Sequence, residues 1–169
     1  HSGVLASAIA MDKPMARHVF TSVGIRVADG KVVERRSLAQ GDPMPRPYVV
    51  KPIDQGSSVG VHIVREGDNL AAVEAAEASF GEKVLIEKFV PGRELTVAVM
   101  DDRPVAVTEL RPRTKFYDYE AKYTDGITEH LVPAPVPPEI TMLSRARTHI
   151  RRKSAISRVS APQIGRAHV

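Results

Sequence analysis

The stretch Tyr48-Val49-Val50-Lys51-Pro52-Ile53-Asp54-Gln55-Gly56-Ser57-Ser58-Val59-Gly60-Val61-His62-Ile63-Val64 decides the fold. Tyr48–Lys51 reads as a short buried strand, which Pro52 ends. Asp54–Gly60 is a loop of small residues. Val59–Val64 alternates as a second strand, so the stretch reads as a hairpin with a functional tip. Upstream, Asp12 caps a helix that carries Pro14 in its first turn, where a missing N–H costs little. Met15, Val19 and Val23 give that helix its apolar face, and Gly24 stops it. Residues 29–47 read as an irregular connection.

Downstream, Asp68 or Asn69 starts a helix whose face carries Leu70, Val73, Glu77 and Phe80, ended by Gly81. Val84–Ile86 is a buried strand and Pro91-Gly92 a turn. Glu94–Met100 and Pro104–Leu110 alternate around Asp101-Asp102 as a second hairpin. Tyr117–Tyr123 reads as a loop or short helix. The prolines of residues 132–138 exclude a regular helix there. The order helix, hairpin, helix, strand, hairpin implies an α+β chain with a mostly antiparallel sheet, not a doubly wound parallel one.

Composition sets limits. The 169 residues are 43% hydrophobic and 26% charged, which is ordinary for a globular chain. There is no cysteine, which excludes disulfides, thiolate catalysis and cysteine zinc sites. No membrane-length apolar run is present, and a cytoplasmic protein is expected. The net charge of +4 is confined to the tail. Residues 1–140 hold 17 Lys+Arg and 20 Asp+Glu, while residues 141–169 hold seven basic residues and no acid. A nucleic-acid partner is therefore not expected, although a basic-tailed nucleic-acid-binding protein is a competing class.

Four features can carry chemistry. Lys13 and Lys51 can neutralise a polyphosphate; the bland alternative is two solvated surface lysines. Lys13 at a helix start opposes the macrodipole and calls for an anion. Ser57 and Ser58 lie in a glycine-rich loop whose backbone can approach phosphate; a polar hairpin tip is the alternative. Glu87-Lys88-Phe89-Val90 ends a strand with hydrogen-bonding groups beside an apolar wall, which suits adenine, and Glu94 can take ribose hydroxyls. Solvent-facing strand acids are the alternative for Glu87 and Glu94. Phe116–Tyr123 concentrates aromatics around Lys122 and can close over a site, or it can be a satellite aromatic cluster. No metal-ligand spacing is present.

In this order, the stretches His1–Ala10, Met11–Lys13, Tyr48–Gly60, Val84–Thr96 and Phe116–Tyr123 resemble the D-alanine–D-alanine ligases of the ATP-grasp superfamily, over roughly residues 1–140. Phe116–Tyr123 is the most specific of these stretches. The resemblance implies an ATP-grasp central lobe over residues 1–90 and the start of the C-terminal lobe over 91–142. It implies ATP and magnesium as cofactors and D-alanine as substrate. The product would be D-alanyl-D-alanine, made through a D-alanyl phosphate for peptidoglycan synthesis, cell wall biogenesis and cell shape. Lys13 and Lys51 would contact phosphates. Ser57 and Ser58 would cover them. Glu87 would accept from the adenine amino group, with Lys88, Phe89 and Val90 completing the base pocket and Glu94 holding ribose. Ser57, Lys122 and Tyr123 would be the catalytic residues, with Ser57 near the closing loop, Lys122 near the transferred phosphate and Tyr123 hydrogen-bonding across the site. The full-length enzyme would be a homodimer.

Further expectations concern the ends. The first-substrate lobe would precede His1, and the magnesium carboxylates would follow the chain, so the piece would be inactive alone. Arg158 faintly resembles an arginine of the family's next strand, but Ser160 stands where its Asp would be. Residues 143–169 are expected to be a degraded or artefactual tail. Gln163–Val169 translates back, with one choice of codons, to a common sequencing-library adapter. A non-catalytic ATP-binding module and a D-alanine–D-lactate ligase are the other readings.

Overall fold

The computed structural model describes residues 3–100, 103–113 and 122–144, the Ser79 side chain excepted. Helix α1 (Val4–Met11) runs into α2 (Lys13–Ser22). Asp12 caps α2 by accepting from the Met15 N–H at 2.8 Å, and Gly24, at φ 77°, ends it. Of the expected apolar face only Val19 packs against the core. Met15 is 48% exposed, and the buried positions are Lys13, Ala16 and Phe20. These recur at i, i+3 and i+7, one helical face turned toward the core. Phe20 packs with Ala16 and Ile25.

Two antiparallel sheets follow, so the chain is α+β. The first is ordered β1-β4-β2-β3, from β1 (Gly30–Glu34), β4 (Lys83–Lys88), β2 (Tyr48–Pro52) and β3 (His62–Val64). Residues 29–47 are thus not irregular: they supply β1 and a 3-10 helix, Arg35–Gln40. The hairpin β2–β3 forms as expected, pairing Tyr48 with Val64. Its second strand is shorter than expected, because Ser57, Ser58 and Gly60 all take positive φ and hold the chain in a turn.

Strand alternation gives this sheet two faces. Tyr48, Val50, Val64, Val84 and Ile86 point one way into a core with Leu38, backed by Leu70 and Val73 of α3 (Leu70–Ala76). Asn69 caps α3 through the Ala71 N–H at 3.0 Å, and a 3-10 turn, Glu77–Phe80, extends it to Gly81. Val49, Lys51, Leu85 and Glu87 point the other way, since Val49 lies directly opposite Glu87 and Lys51 opposite Leu85.

The second sheet is β5 (Glu94–Met100), β6 (Arg103–Pro112) and β7 (Thr128–Leu131), in that order. The hairpin β5–β6 is the expected one, with an irregularity between Ala98 and Val99. Leu95, Val97, Val107 and Ala134 form its core. Residues 138–144 turn helical. Phe116–Ala121, Arg158 and nearly all of the expected tail 143–169 lie outside the described residues. Among the described residues no helix is long and apolar enough to cross a membrane.

Candidate functional site

The second face of the first sheet holds charge where a sheet ordinarily holds a core. Lys51 is 0% exposed and Glu87 1%. They sit diagonally on neighbouring strands, and the Lys51 ammonium pairs with Glu87 Oε2. Arg17 of α2 pairs with the other oxygen, Glu87 Oε1, and its second Nη donates to the Ala28 carbonyl at 2.7 Å. One carboxylate therefore stands between two cations. A buried charge without partners costs several kcal/mol, so pairing is the condition for keeping it there. Gly30 lies directly opposite Glu87, and a Cβ there would come within 2.8 Å of Glu87 Cγ. The missing side chain makes room for the carboxylate arm.

Lys13 joins the cluster from the first turn of α2. Its N–H donates to the Ile53 carbonyl at 2.9 Å, and its ammonium donates to the Gln55 carbonyl. The helix start is thus tied to the loop after β2. Burial pushes the Lys13 ammonium down to about 8, and the neighbouring Lys51 charge adds to the depression. Burial likewise lowers the Lys51 ammonium, with Glu87 pulling against it. The cluster gathers three cations, Lys13, Arg17 and Lys51, near the buried Glu87 carboxylate, with Asp54 and Asp12 also acting on Lys13.

Ser57 and Ser58 sit at φ 53° and 60°, in the left-handed region that L side chains rarely adopt. Each costs on the order of 1 kcal/mol, a strain found where backbone is shaped for a ligand. The tip is held from behind by Gly60. Its φ is 65°, and a Cβ there would meet Phe80 and Pro52 at 2.8 Å. Ser57 Oγ lies 2.6 Å from the Tyr123 hydroxyl, 66 residues away.

On the second sheet, Glu94 is buried at the start of β5. Lys122 is lowered by burial, with the Glu94 charge opposing. Between the sheets, the Lys88 N–H donates to the Asp29 carbonyl at 2.8 Å and the Phe89 N–H to the Pro47 carbonyl at 3.2 Å. The Lys88 carbonyl keeps acceptor capacity, because a carbonyl oxygen has two lone pairs. Val90 follows, half-buried.

The structure thus brings Lys13, Lys51 and Glu87 together, links Ser57 to Tyr123, and sets Lys122 near Glu94. Sequence reasoning missed Arg17. The available signal was its position one helical turn after Lys13, which places both on one face of α2.

A family described as D-Ala D-Ala ligase C-terminus matches residues 19–152. The D-alanine–D-alanine ligase of Granulibacter bethesdensis is 53% identical over 139 residues, covering 82% of this chain and 45% of that protein. The chain therefore spans under half the length of this curated relative. A crystal structure of a D-alanine–D-alanine ligase from Bacillus anthracis superposes with a TM-score of 0.71 at 28% identity, over 91% of this chain and 51% of the other. The same Bacillus anthracis ligase complexed with ATP gives 0.68 at 28% identity, over 91% of this chain and 50% of the other. With the family matched over residues 19–152 and its two antiparallel sheets superposing on a solved ligase, the chain belongs to the D-alanine–D-alanine ligase C-terminal family of the ATP-grasp fold.

Proposed function

We propose that the chain is the ATP-binding part of a D-alanine–D-alanine ligase, with a central lobe over residues 1–90 and the start of the catalytic lobe over 91–142. The observation that carries this reading is the cluster of buried Lys13 and Lys51 with half-buried Arg17 near Glu87, beside a loop with two left-handed serines. Transferring the γ-phosphoryl of ATP needs positioning and charge neutralisation, which such a cluster supplies. Lys13 and Lys51 face the phosphates, and Ser57 and Ser58 cover them. Glu87, Lys88, Phe89 and Val90 take the adenine, and Glu94 takes the ribose. Lys122 meets the transferred phosphate, and Tyr123 holds the cover to Ser57. Since Lys51 and Glu87 are buried, nucleotide entry requires that cover to move.

The whole protein joins two D-alanines. One carboxylate attacks the γ-phosphate and gives a D-alanyl phosphate; the second amine attacks that carbonyl and releases phosphate. Sequestering the acyl phosphate from water is the reason for a cover. The product serves peptidoglycan precursor synthesis in the cytoplasm, and the full-length enzyme is a homodimer. Magnesium is implied by the family, but the described residues contain no group of three His, Asp or Glu able to hold it. Glu87 is taken by two cations. The chain alone is expected to bind ATP without making dipeptide.

The test is a chimera in which residues 1–142 replace the matching part of an active relative. ATP-dependent formation of D-alanyl-D-alanine supports the reading. A folded chimera that binds ATP and stays inert makes the chain a non-catalytic nucleotide module.

A further inference from the structure

We propose that Arg17 is a positioning residue that sets the preference of this site for an amino-bearing purine. The inference rests on the reading of Glu87 as the group that faces the base. Arg17 grips from α2 in two directions, one Nη on Glu87 Oε1 and the other on the Ala28 carbonyl. Lys51 holds Glu87 Oε2. Gly30 leaves the space that the Glu87 arm fills. The carboxylate is thus fixed from three sides.

A carboxylate whose two oxygens pair with two cations presents acceptors rather than donors to a third partner. It has about four lone-pair sites, of which Arg17 and Lys51 take one each. What remains suits the 6-amino group of adenine and repels the 6-oxo group of hypoxanthine. Arg17 need not touch the nucleotide to impose this choice: it holds the acceptor in place. Because Arg17 and Lys13 share one face of α2, the same helix also carries a phosphate contact of the proposed site.

Competition of ATP against inosine triphosphate for the full 169-residue chain, read by displacement of a fluorescent nucleotide analogue, tests this. The unmodified chain is expected to prefer ATP by on the order of tenfold, the worth of one charge-assisted hydrogen bond. Arg17→Met, its fold checked by circular dichroism and melting, should bring the ratio near one, ATP losing more affinity than inosine triphosphate. Arg17→Lys should fall between, because a point charge cannot span Glu87 and Ala28 together. An unchanged ratio in the folded variants, or equal weakening for both nucleotides, overturns the positioning role and leaves the site reading standing. If Arg17→Met does not fold, Arg17→Lys decides alone, and a ratio equal to the unmodified chain overturns the proposal. An unmodified chain that does not prefer ATP overturns the reading of Glu87 and the proposal with it.

Discussion

Ser57 and Tyr123 touch through their side-chain oxygens, 2.6 Å apart, and this contact joins the tip of the first sheet's hairpin to the segment leading into β7. Ser57 is exposed and conformationally strained, so little else restrains it. Tyr123→Phe should speed amide hydrogen exchange over residues 56–61 and leave the β2 and β4 amides protected. Unchanged exchange at the tip would show that the contact does not restrain the loop.

Removing the shared counter-ion should be costly. Glu87→Ala leaves the Lys51 and Arg17 charges buried without it, and breaking a buried pair this way costs about 3–5 kcal/mol. Urea unfolding measures this. A loss below about 1 kcal/mol would mean that the cluster rearranges freely.

Lys13 predicts opposite pH trends for the fold and for its proposed ligand. Its folded value, about 8, lies below its ordinary 10.5. Between those values the unfolded chain binds more protons, so stability rises with pH. Lys51 and Lys122 are lowered as well and act in the same direction. Tyr48 is raised by burial and by Asp42, which reverses the trend once unfolded tyrosine ionises near pH 10. Melting temperature should therefore climb from about pH 8 to about pH 10, while ATP affinity falls. A parallel fall of both would contradict the assignment.

Much of the fold was legible because β2, β4, β5 and β6 are apolar runs bounded by Pro, Gly or Asp. β1 was not, because it is an edge strand with four of its five positions exposed. β7, Thr-Glu-His-Leu, is polar for the same reason. In α2 the visible apolar residues Met15 and Val23 misled, because the buried face is occupied by Lys13 and bordered by Arg17. The partner that keeps Arg17 there, Glu87, lies 70 residues away, and no local pattern reports it. The lysines, serines and acids were legible as residue types. That Lys51 and Glu87 form a pair depends on the β2–β4 register, which only the fold supplies.

A second ionic cluster should govern acid stability. Arg93 donates to both oxygens of Glu109 at 2.6 Å, and Arg111 adds a third hydrogen bond at 2.9 Å. Arg93 beside it, with Arg111, holds the Glu109 carboxyl down at about 2, below its ordinary 4.5. That stabilisation is present above pH 4.5 and lost as pH falls toward about 2. Glu109→Gln should flatten the decline in melting temperature across this window. A decline as steep as in the unmodified chain would place the acid sensitivity elsewhere.

The most direct measurement is calorimetric titration of ATP into the chain and into Lys13→Met at pH 7. Saturable binding, weakened in the variant by about 1.5–3 kcal/mol, is the predicted result. Saturable binding that is indifferent to Lys13, or none in a folded chain, would contradict a nucleotide site at this cluster.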